Sequence, residues 1–144
     1  NYYKVDGTQI VFEITETVAI ANLNKASDVI NKLKKSGIRF ALDDFGSGLS
    51  SFGYLKNLPI DYIKIDGAFV KDIESNKFDQ AMVDAINKIA HSMDLKTVVE
   101  YVSTEEIYQT LQRLEVDYVQ GYYLHKPNHI SKLIEEIALV KLVS

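Results

Sequence analysis

Runs in which apolar and polar residues alternate recur five times along the chain, and the stretches between them repeat their apolar positions every three to four residues. Alternation is the period of a strand with two unlike faces, and the longer spacing is that of a helix packed on one side. The first run, Ile10 to Glu16, places Glu13 near a strand end and Glu16 just past it. The second, Phe40 to Gly48, is an apolar strand that ends in the adjacent carboxylates Asp43 and Asp44 and a glycine-rich turn. Tyr62 to Asp66 is the third and carries Lys64; Lys96 to Glu100 is the fourth; Tyr118 to Tyr122 is the fifth, with Gln120 late in it.

Between these runs, Leu23, Ala26, Val29, Ile30 and Leu33 make one predicted helical face, which Gly37 terminates. Met82, Ala85, Ile86, Ile89, Ala90 and Met93 make the longest, and Ile107, Leu111 and Leu114 a shorter one. Ser103-Thr104-Glu105-Glu106 reads as a capping box with Ser103 as N-cap. Leu49 to Asn57 reads as a short helix closed by Pro59. Strand and helix in alternation, with polar groups at the carboxyl ends of successive strands, predict a parallel α/β sheet or barrel whose site lies at that face. Glu13, Asp43, Lys64, Glu100 and Gln120 are then expected on one rim. No internal sequence repeat, low-complexity segment or linker interrupts the pattern.

The rim carries candidate chemistry. Two adjacent aspartates repel unless a cation or water screens them, and a divalent ion is one such partner. A solvated turn satisfies the same residues, since Asp and Gly are ordinary turn formers. With no Cys and no His pair at ligand spacing, the oxygen donors Glu13, Asp43 and Asp44 suit Mg²⁺ or Mn²⁺.

Glu13 with Glu16, Asp43-Asp44-Phe45-Gly46-Ser47-Gly48 with Ser50-Ser51, Ile63-Lys64-Ile65-Asp66, Val98-Val99-Glu100, and Gln120-Gly121-Tyr122-Tyr123 followed by Pro127 resemble, in order and spacing, the EAL domain family of cyclic di-GMP phosphodiesterases. The resemblance covers about Ile10 to Pro127. It implies the carboxyl-terminal part of a TIM-like (β/α)8 barrel, with residues 1–144 supplying the second half of the barrel and a C-terminal helix. It also implies Mg²⁺- or Mn²⁺-dependent hydrolysis of cyclic di-GMP to linear pGpG, with two metals about 3.5–4 Å apart holding the attacking water and the phosphoryl oxygens. By the same resemblance Glu13, Asp43 and Asp44 are metal ligands, Asp44 to the second metal. Glu100 is the general base or its partner, Lys64 stabilises charge on water or phosphate, Glu16 anchors the loop after Asp43, and Gln120 hydrogen-bonds in the site.

The chain departs from the family pattern after Glu100, where Tyr101-Val102-Ser103 stands in place of Gly-Val-Glu. Tyr101 either stacks on guanine or packs in the core, and both stay open. The Glu-Ala-Leu signature and a further asparagine ligand are expected upstream of Asn1, and a full barrel takes roughly 250 residues where this chain has 144. The 144 residues alone are therefore expected to be inactive. With the inward face, including Val11, Ala41, Val98 and Val119, uncovered, they are expected to form a homodimer or to associate with the remaining half.

Composition narrows the partners. At 47% hydrophobic and 25% charged the chain is ordinarily globular, and 144 residues can bury one core. A net charge of −4 without a basic stripe argues against a nucleic-acid polymer. No apolar run is long enough to span a bilayer and no signal-peptide pattern is present, so no membrane contact by this segment is expected. Absence of Cys excludes a disulfide framework and is compatible with a bacterial cytoplasm. The resemblance adds that the parent protein is often membrane-anchored or joined to sensory and cyclase domains. Three classes of function remain: an active phosphodiesterase, a degenerate domain that senses cyclic di-GMP, and a dimerisation or scaffold module. Retention of Glu13, Asp43, Asp44, Lys64 and Glu100 favours the first.

Overall fold

Five strands form one parallel sheet in sequence order: β1 (Val11–Thr15), β2 (Arg39–Phe45), β3 (Tyr62–Ile65), β4 (Lys96–Val99) and β5 (Tyr118–Val119). The structure is a computed structural model and describes residues 5–46, 52–132 and 134. The helices are α1 (Glu16–Ala21), α2 (Leu23–Lys34), α3 (Lys77–Ser92) and α4 (Glu105–Arg113). Parallel neighbours need crossovers, and α2, α3 and α4 lie in three of the connections. A 3-10 helix, Phe52–Asn57, lies between β2 and β3. It is shorter than the helix predicted from Leu49, and residues 49–51, like the predicted Ser47, Gly48, Ser50 and Ser51 of the glycine-rich turn, lie outside the described residues. The C-terminal helix expected after Pro127 is described only at its start, from Ile130.

One sheet face packs on the helices. Phe40, Leu42, Phe45, Ile63, Ile65 and Val99 join Ile30, Leu55, Val83, Ile86, Ala90, Ile107 and Leu111 in one buried cluster. Burying a side chain of this size is worth roughly 1.5–3 kcal/mol, so this layer dominates stability. The other face carries Val11, Arg39, Ala41, Tyr62, Val98 and Tyr118 around an open hollow of about 410 Å³. Val119 is not among them: it packs against the helix-side cluster, and its neighbour Tyr118 takes the open face. Among the described residues β1 pairs only with β2, and its Val11 and Phe12 are 40% and 45% exposed.

Two predicted faces and one predicted cap shift. The buried stripe of α3 is Val83, Ile86, Asn87 and Ala90, not one through Ala85, which is exposed. Asn87 is tolerated there because its amide donates to the Leu114 and Glu115 carbonyls and its oxygen accepts from Thr97 Oγ1. Val29 of α2 faces outward. The N-cap of α4 is Thr104, whose Oγ1 accepts from Ile107 N at 3.3 Å, so Ser103 is not the cap and no N3 carboxylate completes a capping box.

Candidate functional site

Alternation in β3 sends Ile63 and Ile65 into the core and Lys64 to the opposite side. There Lys64 is 5% exposed, with Nζ 2.8 Å from Glu13 Oε2, 3.0 Å from Asp43 Oδ1 and 2.8 Å from Glu100 Oε1. An ammonium has three N–H donors, and each meets a different carboxylate delivered by β1, β2 and the end of β4. Burial alone pulls its pKa down, but the hydrogen bonds to Glu100, Glu13 and Asp43 and the charge of Glu100 outweigh it and hold the pKa well above the ordinary lysine value.

The fourth carboxylate arrives through an irregularity in β2. Leu42 pairs with Ile63 and Phe45 with Ile65, so three steps along β2 match two along β3. This extra residue is a β-bulge, and Asp44 takes a left-handed φ of 56° within it. Phe45 thereby returns to the core side while Asp43, Asp44 and Glu100 bring carboxylate oxygens within 4.8 Å of one another. Glu13 is not in that trio; it lies on Lys64. Three carboxylates on one ammonium, with Asp44 beside two of them, leave excess negative charge, and an all-oxygen donor set of this kind fits a hard divalent cation such as Mg²⁺ or Mn²⁺.

Glu16 opens α1 and is buried, its Oε2 accepting from Gly46 N at 3.2 Å and its Oε1 from the Tyr54 hydroxyl at 2.5 Å. Gly46 has φ 93°, and a Cβ there would stand 2.8 Å from the Phe69 ring, so only glycine presents this N–H. Burial first, then the hydrogen bond to Glu16 and its charge, push the Tyr54 phenol well above its usual range and keep it a donor. Glu16 thus joins the turn after Asp44 to the 3-10 helix at Phe52–Asn57. Tyr54 carried no distinguishing signal in the sequence.

Beyond the carboxylates lie two clefts. One, of about 330 Å³, is lined by Glu100, Tyr101, Ser103, Gln120, Gly121 and Tyr122. The other, of about 570 Å³, includes Asp44, Asp66, Gly67, Lys71, Tyr101 and Ser103. Tyr101 is 70% exposed and is no core residue; it stands between the two clefts at φ 59°. Gln120 lines the first cleft and the open hollow beside Lys64 and Glu13. The rim expected from the strand ends is therefore assembled, with Tyr122 and Gly67 added to it.

The family model described as EAL domain matches residues 1–127. Cyclic di-GMP phosphodiesterase PdeB of Shewanella oneidensis is 44% identical over 127 residues, which are 88% of this chain and 15% of PdeB. The PaMucR phosphodiesterase in its c-di-GMP complex superposes with a TM-score of 0.86 at 32% identity, over 92% of this chain and 53% of that one. Klebsiella pneumoniae BlrP1 in a manganese/cy-diGMP complex gives 0.77 at 30% identity, over 82% and 30%. The chain spans 15–20% of the length of the curated relatives it matches.

Proposed function

The chain belongs to the EAL domain family, and on that premise we propose that residues 1–144 are the second half of the barrel and the C-terminal helix of a cyclic di-GMP phosphodiesterase domain. The reaction is hydrolysis of one phosphodiester of cyclic di-GMP in the bacterial cytoplasm. A water oxygen bonds to phosphorus, the bond from phosphorus to the 3′ oxygen breaks, and linear pGpG leaves with a 5′ phosphate and a protonated 3′ hydroxyl. The observation that carries this reading is the meeting of Asp43, Asp44 and Glu100 beside a lysine buried among carboxylates.

Mg²⁺ or Mn²⁺ ions, in a two-metal site held by Glu13, Asp43 and Asp44, would lower the pKa of the attacking water and offset charge on the phosphoryl oxygens. Glu100 takes the proton of the attacking water, as base or as partner to it. Lys64, permanently charged, stabilises negative charge growing on the phosphate. Gln120 and Tyr101 contact the substrate, and Glu16 keeps the turn after Asp44 in place. The open sheet face beneath the site admits water, which weakens every electrostatic interaction there, so the five-strand unit by itself turns over little substrate. The remaining half of the barrel, or a second copy, covers that face.

The test is a pair of variants in the complete domain, read for Mn²⁺ binding, cyclic di-GMP binding and release of pGpG. Glu100→Gln is expected to lower turnover far more than nucleotide affinity, and Asp43→Asn to weaken Mn²⁺ binding as well. Intact turnover in Glu100→Gln together with unchanged Mn²⁺ binding in Asp43→Asn would falsify the assignment. Nucleotide binding without turnover in the wild type would replace it with a receptor.

A further inference from the structure

Tyr101 occupies a backbone region that side chains with a β-carbon avoid, at φ 59°, while leaving most of its ring in solvent. Burial does not explain that, since an exposed ring returns little hydrophobic free energy. Contact partly does. The ring lies on Gly67, where a Cβ would come within 2.2 Å of Tyr101 Cδ2 and 2.7 Å of Cγ. One side of the ring is therefore seated on bare backbone, and the ring also lines the cleft that contains Gln120 and Tyr122.

Tyr122 is 65% exposed and lines that same cleft. The backbone segments that carry the two tyrosines are tied together: Val102 N donates to Gln120 O at 3.1 Å and Tyr123 N donates to Val102 O at 3.0 Å. Gly121 makes this approach possible: a Cβ there would stand 2.1 Å from Val102 O and 2.4 Å from Val102 N. Tyr101 is next to Val102 and Tyr122 is next to Gly121, so both rings project from one backbone clasp. Two exposed aromatic rings on a rigid support, with an amide and a hydroxyl at hand in Gln120 and Ser103, suit a flat heteroaromatic ring with polar edges. Glu100 lines the cleft too, so a ring held there lies next to the carboxylate trio.

We propose that Tyr101 and Tyr122 form a seat for one purine base of the dinucleotide, and that Gly67 is a positioning residue that holds Tyr101 in it. The seat rests on the function proposed above and says which part of the substrate these residues take. It also gives Tyr101 its reason: the side chain is kept at an unfavourable backbone angle because the ring faces a ligand.

The test uses the protein at its full natural length, with cyclic di-GMP titrated in Ca²⁺ and Mn²⁺ titrated separately without nucleotide. Tyr101→Gly, which suits the backbone angle and so folds, and Tyr122→Ala are each expected to weaken cyclic di-GMP binding by about tenfold or more, with Mn²⁺ binding unchanged. Tyr101→Phe keeps the ring and is expected to bind like the wild type. Gly67→Ala displaces an exposed ring and leaves the core untouched; it is expected to weaken nucleotide binding when Tyr101 is present and to have no effect in the Tyr101→Gly background. Wild-type affinity in both Tyr101→Gly and Tyr122→Ala overturns the seat, and an equal effect of Gly67→Ala in both backgrounds overturns the role of Gly67. Failure of the wild type to bind cyclic di-GMP at all overturns the function reading, and the seat with it.

Discussion

Asp61 and Asp117 fasten the lower ends of two strand pairs in the same way. Asp61 Oδ2 accepts from Phe40 N of β2 at 2.8 Å while Oδ1 takes Lys34 Nζ at 2.5 Å. Asp117 Oδ2 accepts from Thr97 N of β4 at 2.9 Å while Oδ1 takes Lys96 Nζ at 2.6 Å. Each aspartate precedes a tyrosine, and the rings of Tyr62 and Tyr118 meet edge to face at 6.1 Å on the open side of the sheet. Two residues further along come Lys64 and Gln120. The anchored aspartates thus set the phase that brings those two polar groups to the same rim.

Asp117→Asn is expected to cost about 1.5–3 kcal/mol at pH 7, the range for a hydrogen bond to a charged group. Burial raises the pKa of Asp117, but Lys96, the Thr97 amide and His91 outweigh it and hold the carboxyl below its ordinary 3.8. A carboxyl depressed on folding adds stability that is present above its unfolded pKa and is lost as pH falls through its folded value. The gap between wild type and variant should therefore narrow steadily below about pH 4. Urea unfolding at pH 7, 4 and 2.5 measures it, and a gap independent of pH would remove Asp117 as the source.

Lys64→Met keeps the apolar stem and deletes the charge. Glu13, Asp43 and Glu100 then face one another without an ammonium, and metal-free stability should fall by about 3–5 kcal/mol, as for a broken buried pair. Because the folded pKa of Lys64 is raised, its contribution is complete below about 10.5 and is lost only in stronger alkali. Added Mn²⁺ should raise the melting temperature of the variant more than that of the wild type, while turnover of the complete domain drops by about 10²-fold or more. Equal Mn²⁺ shifts in both proteins would show that the lysine and the cation site do not share a field.

Tyr54→Phe removes one hydrogen bond from a buried carboxylate and should cost about 1.5–3 kcal/mol. Glu16→Gln leaves the side chain similar in shape with a weaker acceptor toward Gly46 N. Both should speed amide exchange at Gly46 without changing exchange in β3 or β4. Hydrogen exchange read by mass spectrometry decides this, and unaltered protection at Gly46 in both variants would mean that Glu16 does not hold the turn.

Glu115→Gly should stabilise the protein by about 0.5–1 kcal/mol. Glu115 follows α4 at φ 56°, with its N–H on Gln112 O and the next N–H on Leu111 O, an ending that glycine suits best. Asp94 ends α3 in the same manner at φ 58°, but aspartate tolerates that region better, so Asp94→Gly should gain less. Denaturation midpoints compare the two; a loss of stability in Glu115→Gly would mean that its side chain contributes more than its backbone costs.

Much of the architecture was legible because the signals were local. Ile63, Ile65 and Val99 flank charged residues in strict alternation, so the strands and the rim positions of Lys64 and Glu100 follow from a period of two. The misses lie where tertiary contact decides. Helix α1 has only six residues and no stripe long enough to read. Asn87 counts as polar in any pattern, yet Thr97 and two carbonyls across the fold satisfy it in the core. Ser103 and Thr104 are equally good caps by residue type, and only the fold shows that Thr104 Oγ1 is the oxygen that accepts from Ile107 N. Val119, expected on the open face, lies on the helix side because a two-residue strand has no period of its own.

The bulge in β2 makes the charge of the site depend on strand length as well as composition. Were the bulge absent with every residue kept, the alternation would run unbroken from Leu42: one carboxylate would remain on the rim, Asp44 would turn toward the core, and the phenyl group of Phe45 that now closes the core would point into the open hollow. A deletion of a single codon there would restore plain alternation and remove the bulge together with one acidic position, whereas Asp44→Asn alters one carboxylate and leaves the bulge in place. Insertions or deletions elsewhere in the connections, by contrast, leave the count of acidic groups unchanged.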